Sequence, residues 1–129
     1  MINTNIYDYI NVLDRAADAS YLRNKAIANN FANINTPGYK RQDVSFSANL
    51  EKALRHSRYK SLDEKVGSVR LDHLKGTVFT DHENFSYRLD GNNVDIETES
   101  AHLASNTTLY NGLTQSINAE FSNIKTVAK

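Results

Sequence analysis

Two stretches of helical periodicity, one at each end of the chain, restrict its fold most strongly. Between residues 6 and 34, apolar and small side chains recur at alternating spacings of four and three, the pattern of a coiled-coil seam. Between residues 103 and 128, a second seam repeats every seven residues. The sequence therefore predicts two long helices that pair through their seams, either as an antiparallel hairpin or as a bundle between subunits. The first seam consists of Ile6, Ile10, Leu13, Ala17, Ser20, Asn24, Ile27, Phe31 and Ile34, and the second of Leu103, Thr107, Tyr110, Thr114, Ile117, Phe121, Ile124 and Ala128.

Polar residues interrupt both seams. Ser20, Asn24, Thr107 and Thr114 bury little apolar surface, and a buried asparagine fixes the register of a helix pair at a cost in stability. These residues are either tolerated at partly exposed positions or belong to a helix pair that is marginal alone. Taken together they favour the second interpretation, in which neighbouring subunits complete the packing.

An asparagine-rich segment followed by Thr36, Pro37 and Gly38 predicts that the first helix ends near Asn35. Asparagine is a poor residue for a helix interior because its amide competes for nearby backbone groups. Proline cannot continue the helix, and Gly38 can adopt the positive φ of a turn that has proline at its second position. The asparagines of this segment are Asn29, Asn30, Asn33 and Asn35.

The second helix is predicted to run from about Asp95 to Val127. Asp95 is a suitable capping residue, and Glu97 and Glu99 place negative charge in the first turn, where the helix dipole favours it. Lys125 suits the opposite end.

The middle of the chain has a different character. Residues 46–54 predict a short amphipathic helix, residues 55–65 are strongly charged and are expected to be exposed, and residues 90–93 are a turn signal. β-type residues with partial alternation predict short strands. The predicted strands are 66–71, 77–80 and 85–89.

Composition fits a small, mainly α-helical chain with a thin core. Hydrophobic residues make up 40% of the 129 residues and tryptophan is absent. We expect long N- and C-terminal helices in a coiled-coil-like bundle with a small irregular or β-strand middle region. The corresponding segments are 1–35, 36–94 and 95–129.

Fifteen basic residues balance fifteen acidic ones, so no basic field is present to attract nucleic acid or an anionic membrane. No cysteine is present for a disulfide.

The segment around the proline turn resembles a signature of the bacterial flagellar axial proteins, the family of rod, hook and hook-associated subunits. Residues 28–39 read Ala-Asn-Asn, an apolar residue, Ala-Asn, a variable residue, and then Asn-Thr-Pro-Gly-Tyr, with Phe31 and Ile34 in the variable positions. The motif residues of the turn are Asn30, Asn33, Asn35, Thr36, Pro37, Gly38 and Tyr39.

A second block, near the C-terminus, narrows the resemblance to the basal-body rod proteins. The run Asp90-Gly91-Asn92-Asn93-Val94-Asp95 and the helix that follows it look like the C-terminal region of the proximal rod subunits of the flagellum. The short chain length agrees, because hook and distal rod subunits are much longer. The two blocks cover the terminal thirds of the chain, and residues 42–89 carry no family motif.

The resemblance implies a structural subunit of the proximal rod, which assembles into a hollow helical drive shaft that transmits motor torque and lets exported subunits pass. The implied partners are copies of itself, other rod proteins, the rod-base adaptor with the MS ring, and the type III export apparatus. The implied location is the basal-body rod, across the periplasm or wall zone. Residues 1–10 lack the pattern of a cleaved signal peptide, which agrees with export by that route. The residues expected to serve packing or assembly are Ile6, Ile10, Leu13, Asn24, Ile27, Phe31, Ile34, Leu103, Tyr110, Ile117, Phe121 and Ile124.

The sequence predicts no enzyme, no cofactor, no small-molecule substrate and no nucleic-acid partner. The four histidines, at positions 56, 73, 82 and 102, have no metal-ligand spacing. Three acidic pairs, Asp63-Glu64, Asp81-Glu83 and Glu97-Glu99, are interpreted as solvated carboxylates and not as a general acid and base. Two alternatives were weighed. A soluble helical adaptor or secretion chaperone does not explain the Asn-Thr-Pro-Gly-Tyr turn, and a wall-remodelling enzyme lacks catalytic residues.

Overall fold

A computed structural model describes residues 4–55, 60–82 and 88–129. A short 3-10 helix, Thr4–Tyr7, leads into α1, Asp8–Ala32. The remaining elements, in chain order, are β1 (Gln42–Ser45), α2 (Ser47–Leu54), α3 (Leu62–Gly67), β2 (Thr77–Thr80) and α4 (Ile96–Val127). Within the described residues, none of these helices combines the length and the apolar character needed to cross a membrane.

The two long helices pair in an antiparallel arrangement, which confirms the predicted pairing of the chain ends. The buried side chain of Ser20 contacts Asn106, and that of Asn30 contacts Glu99. Higher residue numbers on α1 therefore face lower residue numbers on α4, as in an antiparallel pair. At about 1.5 Å per residue, α1 is about 38 Å long and α4 about 48 Å. The N-terminal end of α1 therefore lies beside the C-terminal half of α4.

The start of α4 is fixed by local chemistry, as the sequence predicted. The Asp95 carboxylate accepts hydrogen bonds from the Glu97 backbone N–H at 3.2 Å and from the Thr98 hydroxyl at 2.6 Å. These bonds satisfy donors that the first helical turn leaves without intrahelical partners. Hydrogen bonding to Thr98 lowers the pKa of Asp95, which keeps the cap ionised.

The middle region contains one small antiparallel sheet, in which β1 pairs with β2 in the register Gln42 to Thr80 and Ser45 to Thr77. The sheet lies close to α1 at Gly76, where a Cβ atom would stand only 3.1 Å from Cβ of Ala19. The strand at 77–80 and the short helix at 46–54 are confirmed as β2 and α2. The strand β1 was not predicted.

The strand prediction at 66–71 is wrong, because α3 occupies the start of this stretch. Ser61 and Glu64 form a reciprocal capping box that begins a helix at Leu62, and Val66 is buried as a helical residue. The prediction at 85–89 falls mostly on residues 83–87, which lie outside the described residues, and Leu89 lies in a turn.

The core is thin and unusually polar. The buried apolar side chains are Ile10, Ala19, Ala26, Ile27, Val66, Leu74 and Val94. Nearly as many buried residues are polar or charged, and they are Ser20, Asn30, Asp43, Asn92, Glu99 and Asn106. Buried polar groups cost free energy unless they are hydrogen-bonded, so specific polar contacts have a large part in defining this fold.

Candidate assembly site

The proline turn forms as predicted directly after α1. Gly38 has a φ of +72°, and the Tyr39 backbone N–H donates to the Thr36 carbonyl at 3.3 Å, as in a turn with Pro37 at its second position. The Gly38 N–H donates to the Asp90 carbonyl at 2.8 Å. The turn is therefore bonded directly to the second motif, 52 residues further along the chain.

Asn92 holds the turn that follows α1. Its side chain is fully buried, and its amide nitrogen lies within hydrogen-bond distance of the backbone carbonyls of Asn33, Ile34 and Thr36, at 2.9, 3.1 and 2.9 Å. Its amide oxygen accepts a bond from the Val94 N–H at 2.8 Å. Asn33 is the C-cap residue of α1, and Ile34 and Thr36 lie in the turn beyond it. This side chain therefore supplies, from a distant part of the chain, a donor to the segment in which the chain leaves the helix.

Further bonds fasten the segment after the turn to the same loop. The Arg41 N–H donates to Oδ1 of Asn93 at 2.7 Å, and the Lys40 ammonium donates to the Gly91 carbonyl at 2.6 Å. We call the bonds that join residues 33–41 to residues 90–93 the turn lock. The lock brings together the two sequence blocks that carry the family resemblance, which lie at opposite ends of the chain.

Asn30 connects α1 to both β1 and α4. Its amide oxygen accepts the Gln42 N–H at 2.8 Å, and its amide nitrogen donates to the Gln42 carbonyl at 2.8 Å. The side chain thus makes the pair of hydrogen bonds that the backbone of an adjacent strand would make. The same nitrogen donates to Oε2 of Glu99 at 3.1 Å, and the oxygen also accepts the Tyr39 hydroxyl at 3.2 Å. A fully buried asparagine with these partners explains why a poor helix former lies in the last turns of α1.

A cluster of five charged side chains is centred on Arg41. Its guanidinium donates to Oε1 of Glu99 at 2.7 Å, to Oδ2 of Asp43 at 3.1 Å and to Oδ2 of Asp81 at 3.3 Å. Arg23 of α1 forms a forked pair with the Asp43 carboxylate, at 2.8 and 3.2 Å. We call Arg23, Arg41, Asp43, Asp81 and Glu99 the charge cluster. It joins α1, β1, the end of β2 and α4.

The environment of the charge cluster shifts the pKa of two of its members, Asp43 and Arg41, and of the neighbouring Tyr39. Burial alone disfavours the ionised form of Asp43, but hydrogen bonds from Arg23, Val44 and Arg41 outweigh burial and lower its pKa below the ordinary value. Burial also opposes the charge of Arg41, yet its carboxylate partners raise its pKa. Burial, followed by the negative charge of Glu99, raises the pKa of Tyr39.

A second polar contact lies halfway along the helix pair. The Asn106 amide donates to the Ser20 carbonyl and to Oδ1 of Asn24, both at 2.8 Å, and its oxygen accepts the Ser20 hydroxyl at 3.0 Å. Ser20 and Asn24 were singled out from the sequence as seam residues, and their partner on α4 is Asn106. Thr107 and Thr114 are exposed and donate instead to carbonyls of their own helix.

The α4 residues that face α1 differ from the predicted seam. The residues that face α1 also recur every seven positions, but the series begins at Glu99 and not at Leu103. Its members are buried or half-buried, and they are Glu99, Asn106, Leu113 and Glu120. Polar residues at these positions hid the repeat from a hydrophobicity pattern. Of the predicted α4 residues, Ile117 and Ile124 are half-buried, whereas Leu103, Tyr110 and Phe121 are exposed.

The predicted α1 residues lie mostly inward. Ile10 and Ile27 are buried, Ile6 is 39% exposed, and the others are half-buried. The half-buried residues are Leu13, Asn24, Phe31 and Ile34. In the turn, Asn30 is buried, Asn33 and Tyr39 are half-buried, and the exposed positions are Asn35, Thr36, Pro37 and Gly38.

Sequence reasoning missed the role of Glu99. It was interpreted as a solvated carboxylate at the helix start, but its side chain is buried and bonded to Arg41 and Asn30. Asp81 likewise pairs with Arg41. The sevenfold spacing of Glu99 and Asn106 was the available signal. Among the described residues, no group of three His, Cys, Asp or Glu side chains is arranged to hold a metal ion, and the three carboxylates of the charge cluster surround a guanidinium.

Comparison with known proteins gives a consistent result. Residues 10–40 match the family model for flagella basal body rod protein. The flagellar basal body rod protein FlgB of Bacillus subtilis strain 168 is 33% identical over 123 residues, 89% of this chain and 88% of that protein. FlgB of Borrelia hermsii is 32% identical, over 97% of this chain and 99% of its own length. FlgB of Escherichia coli K12 is 30% identical over 68% of this chain and 69% of its own.

Proposed function

The chain belongs to the family of flagellar basal body rod proteins, among its FlgB members, and from this premise we infer that it is a structural subunit of the proximal rod. Its location is the flagellar basal body. A rod subunit assembles with copies of itself and with other components of the basal body. An adaptor or secretion chaperone is not favoured, because the relatives that align over almost the whole chain are rod proteins.

The observation that best supports an assembling role is the apolar surface that the helix pair leaves uncovered. Leu103, Tyr110 and Phe121 of α4 are 38%, 37% and 44% exposed, and Val127 is 85% exposed. Leu103, Tyr110 and Phe121 belong to the predicted sevenfold seam, beside the face that contacts α1. Large exposed apolar side chains on a small chain are typical of a surface that another protein covers.

We assign this seam to contacts between subunits. Segments 1–35 and 95–129 then form the core of the assembled rod, and segment 36–94 lies outside that core, with the turn at 36–39 setting the direction of the chain between them. A heterologous contact whose rotation does not close generates a helical tube, and a continuous helical surface suits such a contact.

Finer assignments follow from the same premise. We propose that the subunit contacts the other proximal rod proteins and the rod-base adaptor on the MS ring. We also propose that it reaches the rod, in the periplasm or wall zone, through the flagellar type III apparatus and without a cleaved signal peptide. Its role is structural and not catalytic, which agrees with the rod-protein names of its relatives.

The experiment is complementation of a strain that lacks the gene. The double variant Leu103→Asn, Phe121→Asn removes apolar surface from the proposed seam, and we expect loss of rods in electron micrographs and loss of swimming. The matched control, Thr108→Asn with Ala119→Asn, makes two changes at exposed positions on the opposite side of α4 and should swim normally.

Normal rods in the deletion strain itself would contradict the rod assignment. Normal rods in the seam variant alone would contradict only the assignment of the seam. Circular dichroism of each purified variant shows whether the helix pair has formed.

A further inference from the structure

Basic and acidic residues are equal in number over the whole chain, but they are concentrated in different segments. Residues 40–75 carry nine lysines and arginines against five acids, whereas residues 76–129 carry three against seven. The charge cluster and the cap of α4 include three of the seven acids in the second group, namely Asp81, Glu99 and Asp95. The excess positive charge of the middle region has no corresponding internal use, and it concentrates around α2 and α3.

A groove of about 960 Å³ lies between α2 and α3. Ala53, Leu54 and Val69 contribute apolar atoms to its lining, and Lys52, Lys60, Lys65 and Arg70 contribute positive charge. None of these four cations forms an ion pair with a described residue, while Arg55 beside them is paired with Glu51 at 2.5 Å. The groove therefore presents unpaired cations around a partly apolar surface, which suits an acidic segment carrying apolar or aromatic atoms.

The same chain carries a surface of the opposite kind. Asp14 and Asp18 lie one turn apart on α1, both are exposed, and neither has an ion-pair partner among the described residues. Like charges at this spacing weaken a helix by a few tenths of a kcal/mol, so the monomer gains nothing from them. Tyr21 extends the same helical face and is 55% exposed. We call Asp14, Asp18 and Tyr21 the acidic ridge.

We propose that the cationic groove of one subunit receives the acidic ridge of a second copy of this chain. The contact is heterologous: a subunit that offers its ridge to one neighbour keeps its own groove free for another, so the contact can repeat along a helical assembly. This proposal rests on the assembling role inferred above and names a contact that the seam on α4 does not supply. It also gives the middle region, where no family motif was found, a role in assembly.

We expect this contact to determine how neighbouring subunits align more than it increases the affinity between them. Each exposed ion pair strengthens association only about 1.4-fold to fivefold and weakens as salt rises, whereas unlike charges at a fixed spacing reject misaligned neighbours. Several such pairs acting together correspond to roughly a fivefold to tenfold change in association.

A charge exchange tests the proposal. Lys52→Glu with Lys65→Glu reverses the groove, Asp14→Lys with Asp18→Lys reverses the ridge, and a quadruple variant carries both changes. The amount of subunit per purified basal body is measured by quantitative mass spectrometry. We expect each double variant to reduce incorporation about fivefold or more, and the quadruple variant to recover to within about twofold of the unmodified chain.

Controls separate this contact from folding and from net charge. Lys75→Glu with Lys129→Glu makes the same change in net charge at exposed positions that do not line the groove, and should incorporate normally. Circular dichroism reports folding, and if a reversed variant unfolds, Lys52→Gln with Lys65→Gln provides a milder change with a smaller expected loss.

Normal incorporation of either folded double variant would overturn the proposal. Failure of the quadruple variant to recover would also overturn it, because it would show that the groove and the ridge are not each other's partners. Normal rods in a strain without the subunit would instead contradict the rod assignment, so the two failures are distinguishable.

Discussion

The two ends of the helix pair are built in opposite ways. At the motif end, residues 30–43 and 88–99, the turn lock and the charge cluster satisfy buried polar groups within the chain. At the free end, formed by residues 4–14 and 113–127, no described side chain of α4 forms a hydrogen bond to α1, and apolar side chains remain exposed. The chain thus determines its own geometry at one end and leaves the other for partners to complete.

The difference follows from the physics of the two kinds of contact. Buried hydrogen bonds and ion pairs are directional, so the motif end specifies the angle and register at which the chain leaves α1. Apolar contacts are not directional and depend mainly on the area that is covered. A rod subunit needs a fixed chain direction at one end of its helices and an apolar surface for neighbouring subunits at the other. The distribution of polar groups along the helix pair provides both.

The largest expected effect at the motif end is that of Glu99→Ala. Removing this carboxylate leaves the half-buried Arg41 and the buried Asn30 without a principal partner, which should lower the free energy of unfolding by about 3–5 kcal/mol in urea titrations. Glu97→Ala, an exposed change two residues away, should cost less than about 0.5 kcal/mol. Equal effects of the two changes would show that the charge cluster does not stabilise the motif end.

Asn92→Ala tests the turn lock separately. The variant leaves three carbonyls of residues 33–36, in the turn that follows α1, without this donor, and we expect a loss of about 2–3 kcal/mol in unfolding free energy. Asn35→Ala, at an exposed position of the same motif, is the matched control and should change stability by less than about 0.5 kcal/mol. A loss below about 0.5 kcal/mol in Asn92→Ala would mean that the turn after α1 does not depend on Asn92.

Gly38→Val tests the direction of the turn. No atom lies within 4 Å of a Cβ placed at Gly38, so the cost comes only from holding a β-branched residue at a φ of +72°. We expect about 1–2 kcal/mol in unfolding free energy, and less for Gly38→Asn, because asparagine tolerates this conformation better.

The change at Gly38 should affect assembly more than stability, because the turn geometry recurs in every subunit of the rod. Motility and rod formation of the Gly38→Val strain, with export measured separately, provide the check. Normal rods and normal swimming would show that the turn does not set the path of the chain.

The smallest expected effect is the contribution of Asp43 to acid stability. Because the pKa of Asp43 is lowered in the folded chain, the unfolded chain binds more protons and the stabilisation is lost as pH falls below about 4. Asp43→Asn should remove this part of the acid dependence, seen as a smaller drop in the urea midpoint between about pH 6 and about pH 3. Asp14→Asn, which changes an exposed carboxylate, should leave the drop unaltered.

Local chemistry made part of this structure predictable. Pro37 and Gly38 define their turn, and Asp95 defines the start of α4, through interactions that span four residues or fewer. The helices α1, α2 and α4 were predictable for the same reason, since their periodicity is a local pattern, whereas the six-residue α3 was missed.

The remaining features depend on contacts between distant residues. Glu99 lies 58 residues from Arg41, and nothing in the neighbourhood of either residue reveals the other. The strand β1 has the unremarkable sequence Gln-Asp-Val-Ser and exists because Asn30 and β2 supply its hydrogen bonds. The face of α4 that contacts α1 was misplaced because Glu99 and Asn106, both buried, are polar.

The central claim, that the monomer is fixed at the motif end and incomplete at the free end, is tested most directly by hydrogen exchange of a chain shown to be monomeric by sedimentation. We predict that amides in residues 4–14 and 113–127 exchange within the dead time of the experiment, while amides of residues 26–33 and 99–106 are protected. In assembled rods the free end should become protected as well. Slow exchange throughout both helices in the proven monomer would contradict the account.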